Sequence, residues 1–365
     1  MALWGSGVRI PSAPPSFKRR FDLELRGSNF ITPGIMNDEW PLVSVLIPVH
    51  PHITEVKSAE AARRFDYPRE KLEIVIVRTT DLSIGPGVKR NAGLKAIRGE
   101  LVYFLDDDSV AEPGNVKRAV RHFSDPRVKV VGGPNVCPPE APLFERLLGL
   151  VMGTWLAFGP SRTRYRPVGK LRECGEKELI SSHLIARRDA VVEVGFDPKL
   201  WPNEENAMMN GIKQRGGKLL YDPEFLSRRR PRRTLHAYVK MVLFYGGGRA
   251  QQFRLYPSAD VVINFIPPVF CLYLLALPFL IAAFISMKTA LLLVLLPLIL
   301  YLLVLAGQTI NVAAQSNPGL AMLAMPLMVL TNLLYGLGFW RGLFIRIKPP
   351  PPVAEKDIRF ETVPV

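Results

Sequence analysis

The chain contains little cysteine and histidine, and neither residue type is arranged as a crosslink or a metal site. The three cysteines, Cys137, Cys174 and Cys271, are widely spaced and include no Cys-x-x-Cys pair. This spacing argues against a disulfide framework or a zinc site, and it fits a reducing compartment. The five histidines show no ligand spacing either.

The first 35 residues lack the long apolar core of a signal peptide. They are rich in glycine, proline, serine and arginine and show no periodicity, so we expect residues 1–35 to form a disordered leader. Residues 4–15 also resemble a translated transfer-RNA gene at a misassigned start codon. We therefore expect the natural protein to begin at Met36.

The chain is strongly basic, and its apolar residues are concentrated after Asp260. The formal net charge of +15 favours anionic partners such as phosphates, acidic lipid headgroups or nucleic acid. Three apolar segments, residues 261–285, 290–306 and 320–339, each approach the ~20 residues that a membrane-spanning helix needs. The basic run 228–233 precedes them and predicts a cytoplasmic location for the preceding domain. No aromatic platform or nucleic-acid motif accompanies this run, so we expect no nucleic-acid partner.

The number of membrane crossings stays open. An odd number would place the carboxyl terminus outside, whereas Arg341, Arg346 and Lys348 favour the cytoplasm. One segment would then be re-entrant or interfacial. The uncharged run 147–158 is too short to span a bilayer and fits a core helix or an interfacial helix equally well. We expect residues 347–365 to be a tail.

Strand and helix patterns alternate before the apolar segments. The predicted strands are residues 43–48, 72–77, 102–105, 128–131, 178–186 and 218–221. The predicted helices are residues 55–65, 88–97, a segment opened by Pro113, and residues 205–215. This alternation predicts a parallel, doubly wound α/β sheet. A further helix follows the arginine run and is predicted to be interrupted by Gly246, Gly247 and Gly248.

Three consecutive carboxylates, Asp106, Asp107 and Asp108, follow the third predicted strand. Open α/β sheets bind ligands at the carboxyl ends of their strands. Adjacent carboxylates repel each other and are costly to desolvate, so their usual reason is a bound cation, commonly Mg²⁺ or Mn²⁺. The alternative is a solvated turn rich in aspartate. The triplet alone does not separate these interpretations.

Four segments match motifs of one enzyme family. Residues 43–50 match an opening nucleotide-binding strand, residues 90–108 an Arg-Asn-x-Gly … Leu-Asp-x-Asp stretch, residues 203–205 a Glu-Asp catalytic-base motif, and residues 251–255 a Gln-x-x-Arg-Trp motif. With these motifs, residues 43–344 resemble family 2 of the inverting glycosyltransferases. The nearest likeness is to membrane-anchored enzymes of bacterial exopolysaccharide synthesis.

The resemblance implies a domain plan. It implies a GT-A catalytic domain over residues 36–233, which is Rossmann-like with a mostly parallel sheet. An interfacial helix region is expected over residues 234–258, and transmembrane helices over residues 259–346.

The resemblance also implies a donor site for a nucleotide-diphosphate sugar. It implies a divalent cation, Mg²⁺ or Mn²⁺, held by Asp106 and Asp108, which would neutralise the leaving diphosphate. Asp107 would point the opposite way, toward the ribose or the supporting loop. The residues implied for donor binding are Pro48, His50, Arg90, Asn91 and Asp107. Arg78 stands where the family usually has an aspartate that reads the nucleotide base, so the nucleotide stays undetermined.

The acceptor side is implied by the later motifs. Glu205 holds the position of the family's catalytic base, where aspartate is preferred, and its extra methylene displaces the carboxylate by about one bond length. Glu204 is implied as an acceptor-orienting carboxylate. Acceptor contacts are also implied for Arg249, Gln251 and Arg254, where the domain would meet the membrane.

We therefore expect a metal-dependent, inverting hexosyltransferase in the inner cell membrane, multi-pass and with a cytoplasmic catalytic domain. Its acceptor would be a lipid-linked glycan or a polysaccharide, and polysaccharide-assembly proteins are among the expected partners. Two alternatives stay open: a polyprenyl-phosphate sugar synthase, and a catalytically impaired, donor-binding assembly subunit. The sugar, the acceptor and the linkage depend on pocket shape, which no local pattern encodes.

Overall fold

The computed structural model describes residues 40–257, 259–347, 353 and 357–365, without the side chains of residues 259–261. The expected leader and the expected start at Met36 lie outside these residues. The strands are β1 (Val43–Val49), β2 (Leu72–Thr79), β3 (Leu101–Leu105), β4 (Val110–Ala111), β5 (Val128–Gly132), β6 (Asn135–Val136), β7 (Arg172–Glu173), β8 (His183–Arg187), β9 (Lys218–Tyr221), β10 (Ser227–Arg228) and β11 (Ile358–Val363).

The α-helices alternate with these strands and then dominate the second half of the chain. They are α1 (Lys57–Ala62), α2 (Pro86–Ala96), α3 (Asn115–His122), α4 (Leu143–Met152), α5 (Trp155–Phe158), α6 (Arg188–Val194), α7 (Glu204–Gln214), α8 (Leu235–Leu255), α9 (Ile266–Phe284), α10 (Lys288–Gln315) and α11 (Pro318–Phe344). Short 3₁₀ turns lie at Arg69–Lys71, Gly159–Arg164, Glu176–Glu178 and Ala259–Phe265.

A mixed eight-stranded sheet forms the centre of the catalytic part, in the order β11-β2-β1-β3-β8-β5-β9-β7. β1 is parallel to β2 and β3, and β5 is parallel to β9. β8 is antiparallel to both β3 and β5, and the edge strands β7 and β11 are also antiparallel to their neighbours. The α/β fold class is confirmed, and the sheet that was predicted to be parallel is mixed, with antiparallel pairings at β8 and at both edge strands.

The reversed direction of β8 has a simple cause. His183, at the start of β8, lies opposite Leu105, at the end of β3. The chain therefore enters β8 at the end of the sheet where β3 finishes. The segment before β8, which includes α4 and α5, stays at that same end. The strand predicted at residues 178–186 is correspondingly shorter, because residues 176–178 form a 3₁₀ turn before it.

Apolar side chains cover both faces of the central strands. Val45 and Tyr103 belong to the core on one face, and Leu46 and Phe104 belong to the core on the other. Such two-sided burial explains the near-continuous apolar runs of β1, β2 and β3. Because β1 and β3 are parallel neighbours, their carboxyl ends lie side by side, and the Asp triplet lies at this end of the sheet.

Helix α8 is continuous, so the predicted interruption at residues 246–248 is wrong. Gly246 and Gly247 instead lie against α11, whereas Gly248 lies against Pro202. A Cβ at Gly246 would lie 2.2 Å from the carbonyl oxygen of Tyr335, and a Cβ at Gly338 would lie 2.3 Å from that of Leu243. Small residues let two helix backbones approach closely. Gly246, Gly247 and Gly338 therefore form part of the contact surface between α8 and α11.

Helices α9, α10 and α11 are each long and apolar enough to cross a membrane. They correspond to the three predicted apolar segments, and α10 extends further, to Gln315. The run 147–158 forms the end of α4 and all of α5. Leu147 and Val151 of α4 pack in one apolar cluster with Leu305 of α10. This run therefore joins the catalytic part to the long helices.

The expected tail contributes a strand to the central sheet. β11 pairs antiparallel with β2 over its whole length. Glu361 of β11 forms a 3.3 Å ion pair with Arg78, whose guanidinium also donates to the carbonyl oxygen of Ile53 at 2.6 Å. The arginine at the family's base-reading position thus contacts the returning carboxyl-terminal strand.

Candidate active site

The Asp triplet directly follows the carboxyl end of β3. Two of its carboxylates contact the guanidinium of Arg229. Arg229 lies 3.0 Å from Asp106 through Nη1 and 2.8 Å from Asp108 through Nε. The other oxygen of Asp106 accepts a 3.0 Å hydrogen bond from Arg90. Burial alone would raise the pKa of Asp106, but Arg229 and Arg90 hold it below its ordinary value. Asp106 and Asp108 therefore face a common point.

Asp107 takes a different direction from its neighbours. Its carboxylate accepts a hydrogen bond from the backbone N–H of His50, at the end of β1. Burial raises the pKa of Asp107, and the adjacent Asp108 and Asp106 raise it further. Pro48 is buried within β1, whereas His50 is exposed beyond it. Asp107, Pro48 and His50 thus lie together at the end of β1, where donor contacts were predicted.

Lys89 is a buried cation in the same region that sequence reasoning missed. Its ammonium donates to the carbonyl oxygen of Val49 at 3.0 Å. Burial lowers the pKa of Lys89, while the charge of Asp107 opposes that shift. The only signal in the sequence was its position directly before Arg90. Lys89 adds positive charge close to the end of β1.

Arg229 was also missed, because it lies within the arginine run that was attributed to membrane orientation. The run follows β10, which pairs with β4 and β6 beside the Asp triplet. The backbone N–H of Arg229 donates to the carbonyl oxygen of Val136 at 3.0 Å, which continues this pairing. The next residue, Arg230, pairs with buried Glu145 of α4. The strand-like backbone thus sends Arg229 into the site and Arg230 to α4.

Arg90 connects the triplet to the glutamate pair at the start of α7. Its side chain is 3% exposed, and its Nη1 lies 2.9 Å from Glu204 while its Nη2 reaches Asp106. Asn91 forms two hydrogen bonds with the backbone of Phe196, at 2.7 and 2.9 Å. Both residues were predicted to touch the donor. In the structure Arg90 joins Asp106 to Glu204, and Asn91 joins its helix α2 to Phe196.

The glutamates open α7 and point in different directions. Asn203 precedes them in the left-handed region, with φ of 83°. Glu204 is buried, and burial together with the charge of Glu205 raises its pKa to about 8, with Arg90 opposing. Glu205 is 12% exposed and lies 4.0 Å from Arg164. Glu204 was expected to orient the acceptor, yet its contact is Arg90.

A cavity of about 430 Å³ joins Glu205 to the long helices. Its charged lining residues are Glu205, Arg164, Lys177 and Arg249. Its apolar and aromatic lining includes Ile266, Phe270, Val304 and Tyr301 from α9 and α10. Among the described residues, the lining includes neither Glu204, Gln251 nor Arg254. The cavity therefore has a charged end beside α7 and an apolar end between α9 and α10.

The Gln-x-x-Arg element on α8 is divided between two places. Arg249, just before it, is buried and donates to Glu176 at 3.0 Å and to Gln252 at 2.9 Å. Glu176 also accepts a hydrogen bond from Asn206 of α7, so it ties α8 to α7. Gln251 is half-buried. Arg254 donates to the carbonyl oxygen of Ile345 at 2.5 Å and therefore secures the end of α11.

Asp106 and Asp108 fit a divalent cation by their chemistry. They are hard oxygen ligands, and both already reach one positive group, Arg229. Within the part of the chain that the structure describes, no group of three or more His, Cys, Asp or Glu side chains is arranged to hold a metal. Mg²⁺ usually needs only one or two carboxylates and completes its shell with water and substrate phosphates. The pair therefore suits a cation shared with a donor diphosphate.

A family model matches part of the chain. Residues 57–193 match the model of glycosyl transferase family 2. This segment is therefore similar to glycosyltransferase family 2. It contains the Asp triplet and Arg90. The mixed α/β sheet agrees with the GT-A-like fold of the family.

Curated relatives of this chain are pre-mycofactocin glycosyltransferases from two strains of Mycobacterium tuberculosis. Each is 28% identical over 196 residues, which cover 50% of this chain and 38% of the relative. The chain thus spans less than half the length of the curated relatives it matches.

Two solved structures align with most of this chain at low sequence identity. The mannosyltransferase PcManGT from Pyrobaculum calidifontis, in complex with GDP-Man and Mn²⁺, is 16% identical, with a TM-score of 0.46 over 90% of this chain and 94% of its own. TarS from S. aureus is 12% identical, with a TM-score of 0.38 over 63% of this chain and 47% of its own. The family resemblance rests on the sequence match.

Proposed function

We propose that this protein is an inverting glycosyltransferase of family 2 that moves a sugar from a nucleotide-diphosphate sugar to a lipid-linked glycan. The cavity carries this proposal, because Glu205 shares it with apolar side chains of α9 and α10. Ligand sites are mostly apolar, with a few polar groups that orient the ligand. A lipid chain would contact the wall formed by α9 and α10, and the reacting end of the acceptor would reach Glu205.

Glu205 is the proposed general base. It is the member of the pair that lines the cavity, so it can take the proton from an attacking acceptor hydroxyl. A positioned base of this kind typically contributes ~10²–10⁴-fold to the rate. Glu204 and Arg90 are proposed as positioning residues, because their side chains are buried and lie 2.9 Å apart. Arg90 also reaches Asp106, so one side chain aligns the acceptor half with the donor half.

The donor half is proposed at the end of β1 and β3. Asp106 and Asp108 would hold Mg²⁺ or Mn²⁺, which when bound neutralises charge on the leaving diphosphate. Lys89 and Arg229 supply fixed positive charge nearby. His50, Pro48 and Asp107 would contact the nucleotide. The basic run before the long helices supports a catalytic domain on the cytoplasmic face of the inner membrane.

A second candidate is the transfer of one sugar directly to a polyprenyl phosphate. The observation that favours it is Arg164, whose side chain is only 8% exposed in the cavity wall. Its Nε has no hydrogen-bond partner among the described residues. A buried guanidinium with an unused donor suits an anionic phosphate. In this case the acceptor oxygen is already charged, and transfer would need no base.

A transfer assay on the full chain in lipid nanodiscs tests both candidates. A panel of nucleotide sugars is offered with polyprenyl phosphate or with a polyprenyl-diphosphate-linked sugar. Extension of the linked sugar supports the first candidate. A glycosyl-phosphate product, recognised by its lability in mild acid, supports the second. Nucleotide binding without turnover on any donor would instead favour an impaired assembly subunit.

Glu205→Gln tests the role of the base. We expect transfer to an acceptor hydroxyl to fall by ~10²–10⁴-fold while the donor dissociation constant stays unchanged, because the amide keeps the shape but accepts no proton. Glu193→Gln, on exposed α6, is the matched control and should keep full activity. Loss of donor binding in the Glu205 variant would reject the assignment.

A further inference from the structure

We propose that only α9 and α10 cross the membrane, and that α8 and α11 lie side by side on the membrane surface beneath the catalytic domain. The surface recognised is a lipid bilayer with anionic headgroups. This inference depends on the apolar helices and the sheet, and it holds whichever sugar or acceptor the enzyme uses.

Helix α8 belongs to the catalytic side of the molecule. Its 21 residues include Lys240, Arg249 and Arg254, which a membrane-spanning helix would bury at high cost. Arg249 is held by Glu176, whose carboxylate also contacts α7. The helix is therefore anchored to the domain that carries the active site.

Helix α11 follows α8 along its length. Tyr238 near the start of α8 contacts Thr331 at 2.7 Å, and Arg254 near its end contacts the carbonyl oxygen of Gly342 at 3.3 Å. Ala321, in the first turn of α11, belongs to the same buried apolar cluster as Leu147 of α4. Its 27 residues span roughly 40 Å, and both ends touch the catalytic side. A helix that crossed the bilayer would contact the catalytic domain at one end only.

Helices α9 and α10 have the dimensions and the exposure of a membrane hairpin. α9 has 19 residues and is roughly 28 Å long. α10 regains contact with the domain at Leu305, which packs in one cluster with Leu147 of α4, and at Gln308, whose Oε1 accepts a 3.2 Å hydrogen bond from the backbone of Trp155. The part of α10 from Lys288 to Leu305 is roughly 26 Å long, which is close to the ~30 Å hydrocarbon core of a bilayer. Of the described side chains of α9, only Pro268 is buried in the protein.

The carboxyl-terminal strand requires an even number of crossings. β11 follows α11 and lies in the same sheet as the Asp triplet, paired with β2. Three crossings would put β11 on the opposite side of the membrane from β2. A hairpin of α9 and α10, with α11 on the surface, keeps both on one side. Exposed Lys240 and Arg341 would then lie at the level of the headgroups.

Single added cysteines in the full chain test this topology. Ser286→Cys marks the tip between α9 and α10, Thr362→Cys marks β11, and Lys199→Cys marks the catalytic domain as a control. Two separate preparations of sealed vesicles, one right-side-out and one inside-out, are each treated with a membrane-impermeant maleimide. The labelled peptide is identified by mass, so the native cysteines stay in place. We expect position 362 to be labelled from the same side as position 199, and position 286 from the opposite side.

Two outcomes would overturn the inference. Labelling of positions 362 and 199 from opposite sides would mean three crossings, and labelling of positions 286 and 199 from the same side would mean that the hairpin does not cross. If a cysteine variant fails to fold, limited proteolysis of wild-type vesicles gives an independent measurement. The tail after Phe344 should then be cleaved only from the side where the catalytic domain is cleaved.

Discussion

The contact between α8 and α11 predicts different effects of alanine substitution at two of its glycines. Gly338 and Gly247 are both interior helix positions on this contact. A Cβ at Gly338 would lie 2.3 Å from the carbonyl oxygen of Leu243, whereas a Cβ at Gly247 would lie 3.5 Å from its nearest neighbour, the carbonyl oxygen of Gly338. The first distance requires the two backbones to separate, and the second is an ordinary contact. We therefore expect Gly338→Ala to destabilise the protein and Gly247→Ala to be tolerated.

The magnitudes follow from two opposing effects. Alanine in place of glycine inside a helix contributes about 0.8–1 kcal/mol of helix propensity at either position. Overpacking typically costs about 1–3 kcal/mol, and a clash with backbone cannot be relieved by a rotamer change, so the upper end applies at Gly338. Gly338→Ala should lower the free energy of unfolding by about 2 kcal/mol, while Gly247→Ala should raise it by up to about 1 kcal/mol.

The assay is chemical denaturation of the full chain in detergent, followed by tryptophan fluorescence. Gly246→Ala, whose Cβ would lie 2.2 Å from the carbonyl oxygen of Tyr335, provides a second clash variant. Equal stabilisation by Gly338→Ala and Gly247→Ala would show that α8 and α11 do not meet through these glycines. That result would also remove the main support for a surface location of α11.

Two further predictions concern the active site. The raised pKa of Glu204 means that its neutral form contributes stability that is fully present below about pH 4.5 and is lost as pH rises through about 8. In Glu204→Gln, which cannot ionise, the fall in stability between about pH 5 and pH 8 should therefore shrink, as measured by denaturation at each pH. An unchanged fall would refute the shift. Asp108→Ala should weaken Mn²⁺ binding by about tenfold or more, since the pair offers few other ligands. Electron paramagnetic resonance of free Mn²⁺ measures this in the presence of a nucleoside diphosphate, with Asp66→Ala as the control, and unchanged binding together with metal-independent transfer would contradict the metal assignment.

Much of the fold could be predicted because its signals are local. The strands β1, β2, β3 and β5 are continuous apolar runs, and their burial on both sheet faces is why those runs are apolar. The three long helices can be recognised from the length and apolar composition of their segments. The direction of β8 was not predictable, because a short strand has the same residue pattern whether it runs parallel or antiparallel.

The candidate site was located more accurately than its contacts were assigned. The Asp triplet and the glutamate pair were placed by motif, and the structure brings them together through Arg90. Arg229 could not be distinguished from the other arginines of its run, since only the pairing of β10 with β4 and β6 directs it toward Asp108. A side chain's role depends on what it faces, and one-dimensional spacing does not encode this across more than 100 residues.

The sequence alone determined the resemblance to glycosyltransferase family 2, the main alternation of strands and helices before the apolar segments, and the presence of three apolar helices, because periodicity, motif and length are properties of neighbouring residues. The tertiary structure decided which arginine meets the carboxylates, which glutamate faces the cavity, and how α11 lies against α8. It also decided that a strand from the end of the chain, β11, returns to the sheet. These features arise from contacts between segments far apart in the chain, where shape and charge at the point of contact select one arrangement.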